Sequence, residues 1–414
     1  MGELKGACIF AQSGGPTSVI NASAAGVITE ALKSESITKV YGSANGIKGL
    51  LNDVLYDMSA EDKYELDLLL TTPSSALGSA RYKLKHFDED ERDYATLLEL
   101  FRKYDVRYFF FNGGNDSMDT CNKVGRYLDK VGYECRVMGV PKTIDNDLWG
   151  TDHCPGFGSA AKYIATSLME VSLDAKVYDT GMVIIVEIMG RNAGWLTASS
   201  ALATARGLGP DLIYLPETPF EIDKFLGDVE SVYSANGNVI AAVSEGARDA
   251  NGVYVTEMNY QNLSVDSFGH TQLGGAASIL GRVVKDNMNV KVRTIELSLL
   301  QRCASHCASR VDIDEAFTAG KAAVRHALAG KSGYMVGFER APGDLYVCNT
   351  TLLDVSEVAN KEKLVPKEWI TPNGVGLKQE FIDYAAPLIQ GDANVPLENG
   401  LPRFTRLKKV RASL

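Results

Sequence analysis

Short apolar runs alternate with segments of helical period along most of the chain. The runs at 7–11, 38–42, 107–111, 135–140, 182–188, 211–214, 238–243 and 291–293 predict strands. Between them, 19–33, 94–104, 117–130, 159–174, 193–206 and 221–235 carry apolar residues at helical spacing and predict helices. Strand, loop and helix in this rhythm imply an α/β fold of parallel sheets covered by helices on both faces. In such folds ligands bind beyond the carboxyl ends of the strands, where loops lead into helices. From Gly333 onward proline and short strands increase; 345–353 predicts sheet and 365–376 predicts loop.

The predicted strand ends are dense in glycine, hydroxyl and charged side chains. The first strand runs into Gln12-Ser13-Gly14-Gly15-Pro16-Thr17, and the 107–111 strand into Asn112-Gly113-Gly114-Asn115-Asp116-Ser117. Later ends carry Pro141-Lys142-Thr143-Ile144-Asp145-Asn146-Asp147, Met189-Gly190-Arg191-Asn192-Ala193-Gly194-Trp195 and Ser244-Glu245-Gly246. Paired glycines before a helix let backbone approach a phosphate, and the helix start offers unpaired N–H groups. Taken alone, each double glycine reads equally as an ordinary turn. An acidic residue inside such a loop suits a magnesium-bound anion better than a bare one. The 141–147 loop combines what phosphoryl transfer to an alcohol needs: carboxylates able to take a proton (Asp145, Asp147) and a cation (Lys142). Its rival reading is a solvated acidic loop. Arg191 can hold a phosphoryl group bidentately; Glu245 can accept from sugar hydroxyls; Arg81, in Gly78-Ser79-Ala80-Arg81, can reach a donor.

Composition narrows the class. The 414 residues suggest two domains, and 45% apolar with 23% charged residues is the balance of a globular protein. A net charge of −10 leaves no overall basic field for nucleic acid or acidic lipid, so neither is expected as a partner. No signal peptide or apolar run of membrane-spanning length is read in the chain, and a cytoplasmic location is expected. The seven scattered cysteines predict reduced thiols. Cys303, His306 and Cys307 lack a fourth ligand nearby and read as helix packing rather than zinc. The basic tail at 403–411 reads as a solvated terminus.

These motifs, in this order over residues 5 to 330, resemble the 6-phosphofructokinases, and within them the pyrophosphate-dependent branch. The resemblance is most specific in Thr143-Ile144-Asp145-Asn146-Asp147 followed by Met189-Gly190-Arg191-Asn192-Ala193-Gly194-Trp195. It implies transfer from pyrophosphate to the 1-hydroxyl of fructose 6-phosphate. Asp145 would be the base, with Lys142 and Arg191 stabilising charge. Gly14, Gly15, Arg81, Gly114, Asn115, Asp116 and Ser117 would hold the donor. Thr143, Ile144, Asp147, Met189, Gly190, Glu245, Arg293 and Arg302 would bind the sugar phosphate. Asn115 and Asp116 would bind Mg2+. Nucleotide-using members carry glycine where Asp116 and Lys142 stand, so both residues favour pyrophosphate over ATP. Asn115 replaces the usual aspartate, and Met182 and Leu299 replace an arginine and a histidine or tyrosine near the acceptor phosphate. The resemblance further implies two similar Rossmann-like domains, the active site in the cleft between them, and a homodimer or homotetramer. The expected divisions are 1–141 with part of 265–325 returning to it, 142–264, and a C-terminal extension at 326–414. The alternatives left open are an ATP-dependent enzyme, an acceptor such as sedoheptulose 7-phosphate, and a non-catalytic sugar-phosphate-binding homologue.

Overall fold

The computed structural model describes residues 4–177, 179–258, 275–343, 345–359 and 361–413. The expected division at 264/265 lies outside them. Two sheets are built from strands β1 (Gly6–Gln12), β2 (Ile37–Ser43), β3 (Leu55–Asp57), β4 (Val106–Gly113), β5 (Arg136–Pro141), β6 (Met182–Ile188), β7 (Leu212–Tyr214), β8 (Asn238–Ser244), β9 (Lys291–Glu296), β10 (Tyr334–Arg340) and β11 (Cys348–Asp354). The first sheet has the order β11-β10-β5-β4-β1-β2-β3 and the second β7-β8-β6-β9. All strand pairs in the second sheet are parallel. In the first, the predicted parallel pairing holds at the centre, while β3 and β11 pair antiparallel at the two edges.

The chain divides into two compact units, Met1–Ser159 with Arg302–Lys363 and Ile389–Leu414, and Ala160–Gln301 with Leu364–Leu388. Residues 142–159, assigned above to the second domain, stay with the first unit. Lys142 N–H donates to Gly113 O, Thr143 N–H donates to Pro155 O, and the Asp312 carboxylate accepts from the N–H groups of Gly156 and Ser159. Residues 364–388 belong with the second unit. There Ile213 N–H donates to Val375 O, and Trp195 packs against Trp369, Phe381 and Tyr384.

The β4 run Tyr108-Phe109-Phe110-Phe111 shows why the first unit holds together. Alternate side chains leave opposite faces of a strand. Phe109 and Phe111 enter one core, with Phe101 and Leu128, while Tyr108 and Phe110 enter the other, with Ile28 and Val324. All four are buried. Burying each such side chain contributes about 1.5–3 kcal/mol, so this one strand anchors helices on both faces.

The tail corrects the sequence reading. Arg403 pairs with the Glu65 carboxylate, Thr405 Oγ1 donates to Glu65 O at 2.7 Å, and Lys408 N–H donates to Glu61 Oε2 at 2.7 Å. The basic residues are drawn to an acidic strip on the 61–65 segment, which charge counting within the tail alone could not reveal.

A second feature had no signal in the sequence. The buried His153 ring lies between two carboxylates, Nδ1 2.9 Å from Asp152 and Nε2 2.7 Å from Glu315. Arg340 donates to Asp152 and Tyr346 to Glu315. His153, Glu315 and Cys348 bring metal-ligating atoms within 4.8 Å of one another. Both ring nitrogens already face carboxylates, so the ring has no lone pair left for a metal, and the cluster is a closed ion network. Burial alone would lower the imidazolium pKa, but the two carboxylates outweigh it and raise it above the usual value. The stabilisation is therefore complete below about pH 6.5 and fades as pH rises through the higher folded-state value. Replacing one partner of a buried ion network costs about 3–5 kcal/mol. Urea unfolding of His153→Gln should show a loss of that order at pH 6 and a smaller one at pH 9; an equal loss at both would contradict the imidazolium.

Candidate active site

The loops at the carboxyl ends of β1, β4 and β5 enclose a cavity of about 800 Å3 in the first unit. It is lined by Ser13, Gly14, Gly15, Ala80, Arg81, Tyr82, Lys83, Gly114, Asn115, Asp116, Ser117, Lys142, Thr143, Asp145, Asp147 and Glu362. Every donor residue expected from the sequence, together with Asp145, Lys142, Thr143 and Asp147, lines this space. Ile144 is buried beside them.

The loops are shaped by their local chemistry. Gly14 takes φ +77, a left-handed conformation that suits glycine, and its carbonyl accepts from Ser79 Oγ at 2.6 Å. Buried Gln12 organises the neighbouring loop, accepting from Ser75 Oγ at 2.8 Å and from Leu77 N–H at 3.1 Å, which brings the 78–83 stretch to the cavity. Gly113 has no room for a side chain, since a Cβ there would lie 1.9 Å from Ser117 Oγ. The helix Asn115–Lys130 thus begins at the cavity wall, its first-turn N–H groups at the rim.

Lys142 ties three of these loops together. Its backbone N–H donates to Gly113 O, and its Nζ donates to Gly15 O at 2.7 Å. Only 4% of the residue is exposed. Burial depresses the ammonium to about 8, against the opposing pull of Asp145 and Asp147 and with help from Arg302 and Arg81. The Arg302 guanidinium reaches the same wall, 3.1 Å from where a Cβ on Gly15 would be.

Asp145 is half-buried, its N–H held by Thr143 Oγ1 at 3.1 Å. The loop reverses at buried Asn146, whose side chain accepts from Cys154 N–H at 2.9 Å and whose φ is +56. Burial, together with the nearby Glu362 carboxylate, pushes the Asp147 carboxyl above its usual range. Turned to satisfy two backbone carbonyls, the Asn115 amide donates to Val358 O and Lys361 O at 3.2 Å each. Its carbonyl oxygen then faces the Asp147 carboxylate across the 3.3 Å that separates the two side chains. Two acceptors so placed call for a cation or proton between them. Neighbouring oxygens around a cation with bonds of about 2.1 Å lie roughly 3.0 Å apart, so a hard divalent ion fits this donor set. Asp116 lines the same cavity with its side chain 88% exposed and its carboxylate 4.0 Å from Lys83.

The second unit carries the remaining residues. Gly190 N–H donates to Glu245 Oε1 at 3.3 Å, Ser244 Oγ donates to Gly190 O at 2.6 Å, and Met189 N–H donates to Gln301 Oε1 at 3.2 Å. These bonds clamp the ends of β6 and β8 together and hold Arg191 exposed at their rim. Arg293 is not brought to this cluster. It lies on the exposed edge strand β9, opposite Ile184 in mid-strand, and lines a separate depression with Met182. Leu299 is exposed. Residues missed from the sequence are Tyr82, Lys83 and Glu362; the first two adjoin a recognised motif, whereas Glu362 has no motif around it.

No helix among the described residues is long and apolar enough to cross a membrane. Residues 7–295 match the family model described as phosphofructokinase. The chain is 43% identical to the pyrophosphate–fructose 6-phosphate 1-phosphotransferase of Halomonas elongata, covering 97% of this chain and 96% of that protein. It is 42% identical to the protein of the same name from Methylococcus capsulatus, with coverage of 97% and 96%. The crystal structure of the pyrophosphate-dependent phosphofructokinase from Marinobacter aquaeolei superposes with a TM-score of 0.87 at 42% identity, over 99% of this chain and 98% of that one. The glycine-walled cavity with its buried lysine and paired aspartates therefore sits in a chain that belongs to the phosphofructokinase family.

Proposed function

We propose that this protein transfers a phosphoryl group from magnesium pyrophosphate to the 1-hydroxyl of fructose 6-phosphate, reversibly. The observation that carries the donor assignment is Lys142: a buried ammonium at the wall of a cavity whose other charged lining residues are Arg81, Lys83, Asp116, Asp145, Asp147 and Glu362. A leaving orthophosphate concentrates its charge on one phosphorus, whereas the leaving diphosphate of a nucleotide shares it over two, and a desolvated cation offsets such concentrated charge most strongly. The names of the full-length relatives support the same donor and acceptor.

Each residue then has a role set by chemistry. Asp145 takes the proton of the attacking hydroxyl, Lys142 and Arg191 stabilise the charge that develops, and Gly14, Gly15, Arg81 and the start of the Asn115–Lys130 helix hold the donor. Thr143, Met189, Gly190 and Glu245 orient the sugar. Mg2+, held by Asn115 and Asp147, would offset charge on the donor oxygens; the oxygen-only donor set suits it. Asp116 acts through its exposed charge, repelling the additional phosphate of a nucleotide.

Asp116→Gly is accordingly expected to lower the ratio of kcat/KM for pyrophosphate over ATP by about tenfold or more, one decade for each ~1.4 kcal/mol of repulsion relieved. Steady-state rates with both donors check this; an unchanged ratio would remove Asp116 from donor selection.

A further inference from the structure

We infer that Glu362, from the C-terminal segment beyond the residues matched to the family, supplies the second carboxylate to the divalent cation that accompanies the donor. The inference rests on the magnesium pyrophosphate reading above.

Three observations carry it. Glu362 lines the same cavity as Asn115, Asp145 and Asp147. Its segment is fixed against the Asp147 loop, since Leu148 and Glu362 form an antiparallel bridge and Lys363 N–H donates to Asp147 O at 2.8 Å. The same segment orients Asn115, whose amide donates to Val358 O and Lys361 O and so presents its carbonyl oxygen towards Asp147. One short stretch therefore aims a neutral ligand and adds a charged one. A neutral asparagine oxygen and a single aspartate leave a divalent ion half-compensated by the protein, and Glu362 completes the balance. Asn115 and Glu362 thus divide between two chain segments the oxygen and the charge that a single aspartate would combine.

The test is Mn2+ binding, followed by electron paramagnetic resonance with and without pyrophosphate and without sugar phosphate. Losing such a ligand should weaken Mn2+ binding in Glu362→Gln by at least the roughly 10–100-fold that outer-shell partners already contribute, with partial recovery in Glu362→Asp. Adding Asn115→Asp to Glu362→Gln should restore most of the affinity, because the charge returns to the same ion from the other side. Circular dichroism establishes that each variant is folded; if Glu362→Gln is not, Glu362→Asp and the double variant carry the comparison. Unchanged Mn2+ affinity in Glu362→Gln, or no recovery in the double variant, overturns the inference. Wild type that binds Mn2+ no better with pyrophosphate than without it overturns the donor reading instead.

Discussion

Asp145→Asn should lower kcat by about a hundred- to ten-thousandfold, the range that a positioned general base contributes. The substitution keeps the shape of the side chain and removes its capacity to accept a proton as a base. The loop should survive it, because its conformation is set by Thr143 Oγ1, by the left-handed Asn146 and by the bond that Cys154 N–H donates to the Asn146 side chain, not by the Asp145 carboxylate alone. Pyrophosphate affinity, read by calorimetry, should therefore change little. Loss of affinity with kcat preserved would instead make Asp145 a ligand for the donor.

Lys142→Met should lower kcat/KM for pyrophosphate by about a hundred- to a thousandfold, the cost of removing one preorganised charge-stabilising donor. Methionine fills similar space without charge. Part of the loss is structural, since Gly15 O would lose its bond from Nζ. A pH profile separates the two contributions. With the ammonium brought down to about 8 by burial, its charge is present below that pH and lost above it. In the wild type, kcat/KM for pyrophosphate should fall by about tenfold per unit above pH 8, the usual limit for one group lost from the free enzyme. In Lys142→Met that limb should vanish. A limb that persists in the variant would belong to another group.

Much of the first unit and most of the cavity lining were legible because they depend on local pattern. The buried strands β1, β4 and β5 read as near-continuous apolar runs, as central parallel strands do. The glycine loops and the 141–147 segment are contiguous, so their chemistry could be read from neighbouring letters. What could not be read comes together through the fold. Glu362 is more than two hundred residues from Asp147 in sequence and meets it only because 361–363 forms an isolated bridge with the 147–148 backbone. His153 finds Glu315 through a helix, Arg310–Leu328, that returns to the first unit from beyond the second. The tail has the same explanation: Arg403 pairs with Glu65 and Lys408 with Asp62, while Glu61 accepts the backbone N–H groups of Lys408 and Lys409. Arg302 likewise comes to Gly15 and Lys142 from a distant part of the chain. The edge pairings of β3 and β11 escaped because antiparallel addition at a sheet edge leaves no mark distinct from that of a parallel strand.

The donor is tested most directly by phosphorus NMR of the wild-type protein with fructose 6-phosphate and Mg2+, supplied in turn with pyrophosphate and with ATP. Pyrophosphate should disappear as fructose 1,6-bisphosphate and orthophosphate appear in equal amounts, and the ATP sample should stay unchanged. Consumption of ATP with pyrophosphate untouched would contradict the roles given to Lys142 and Asp116.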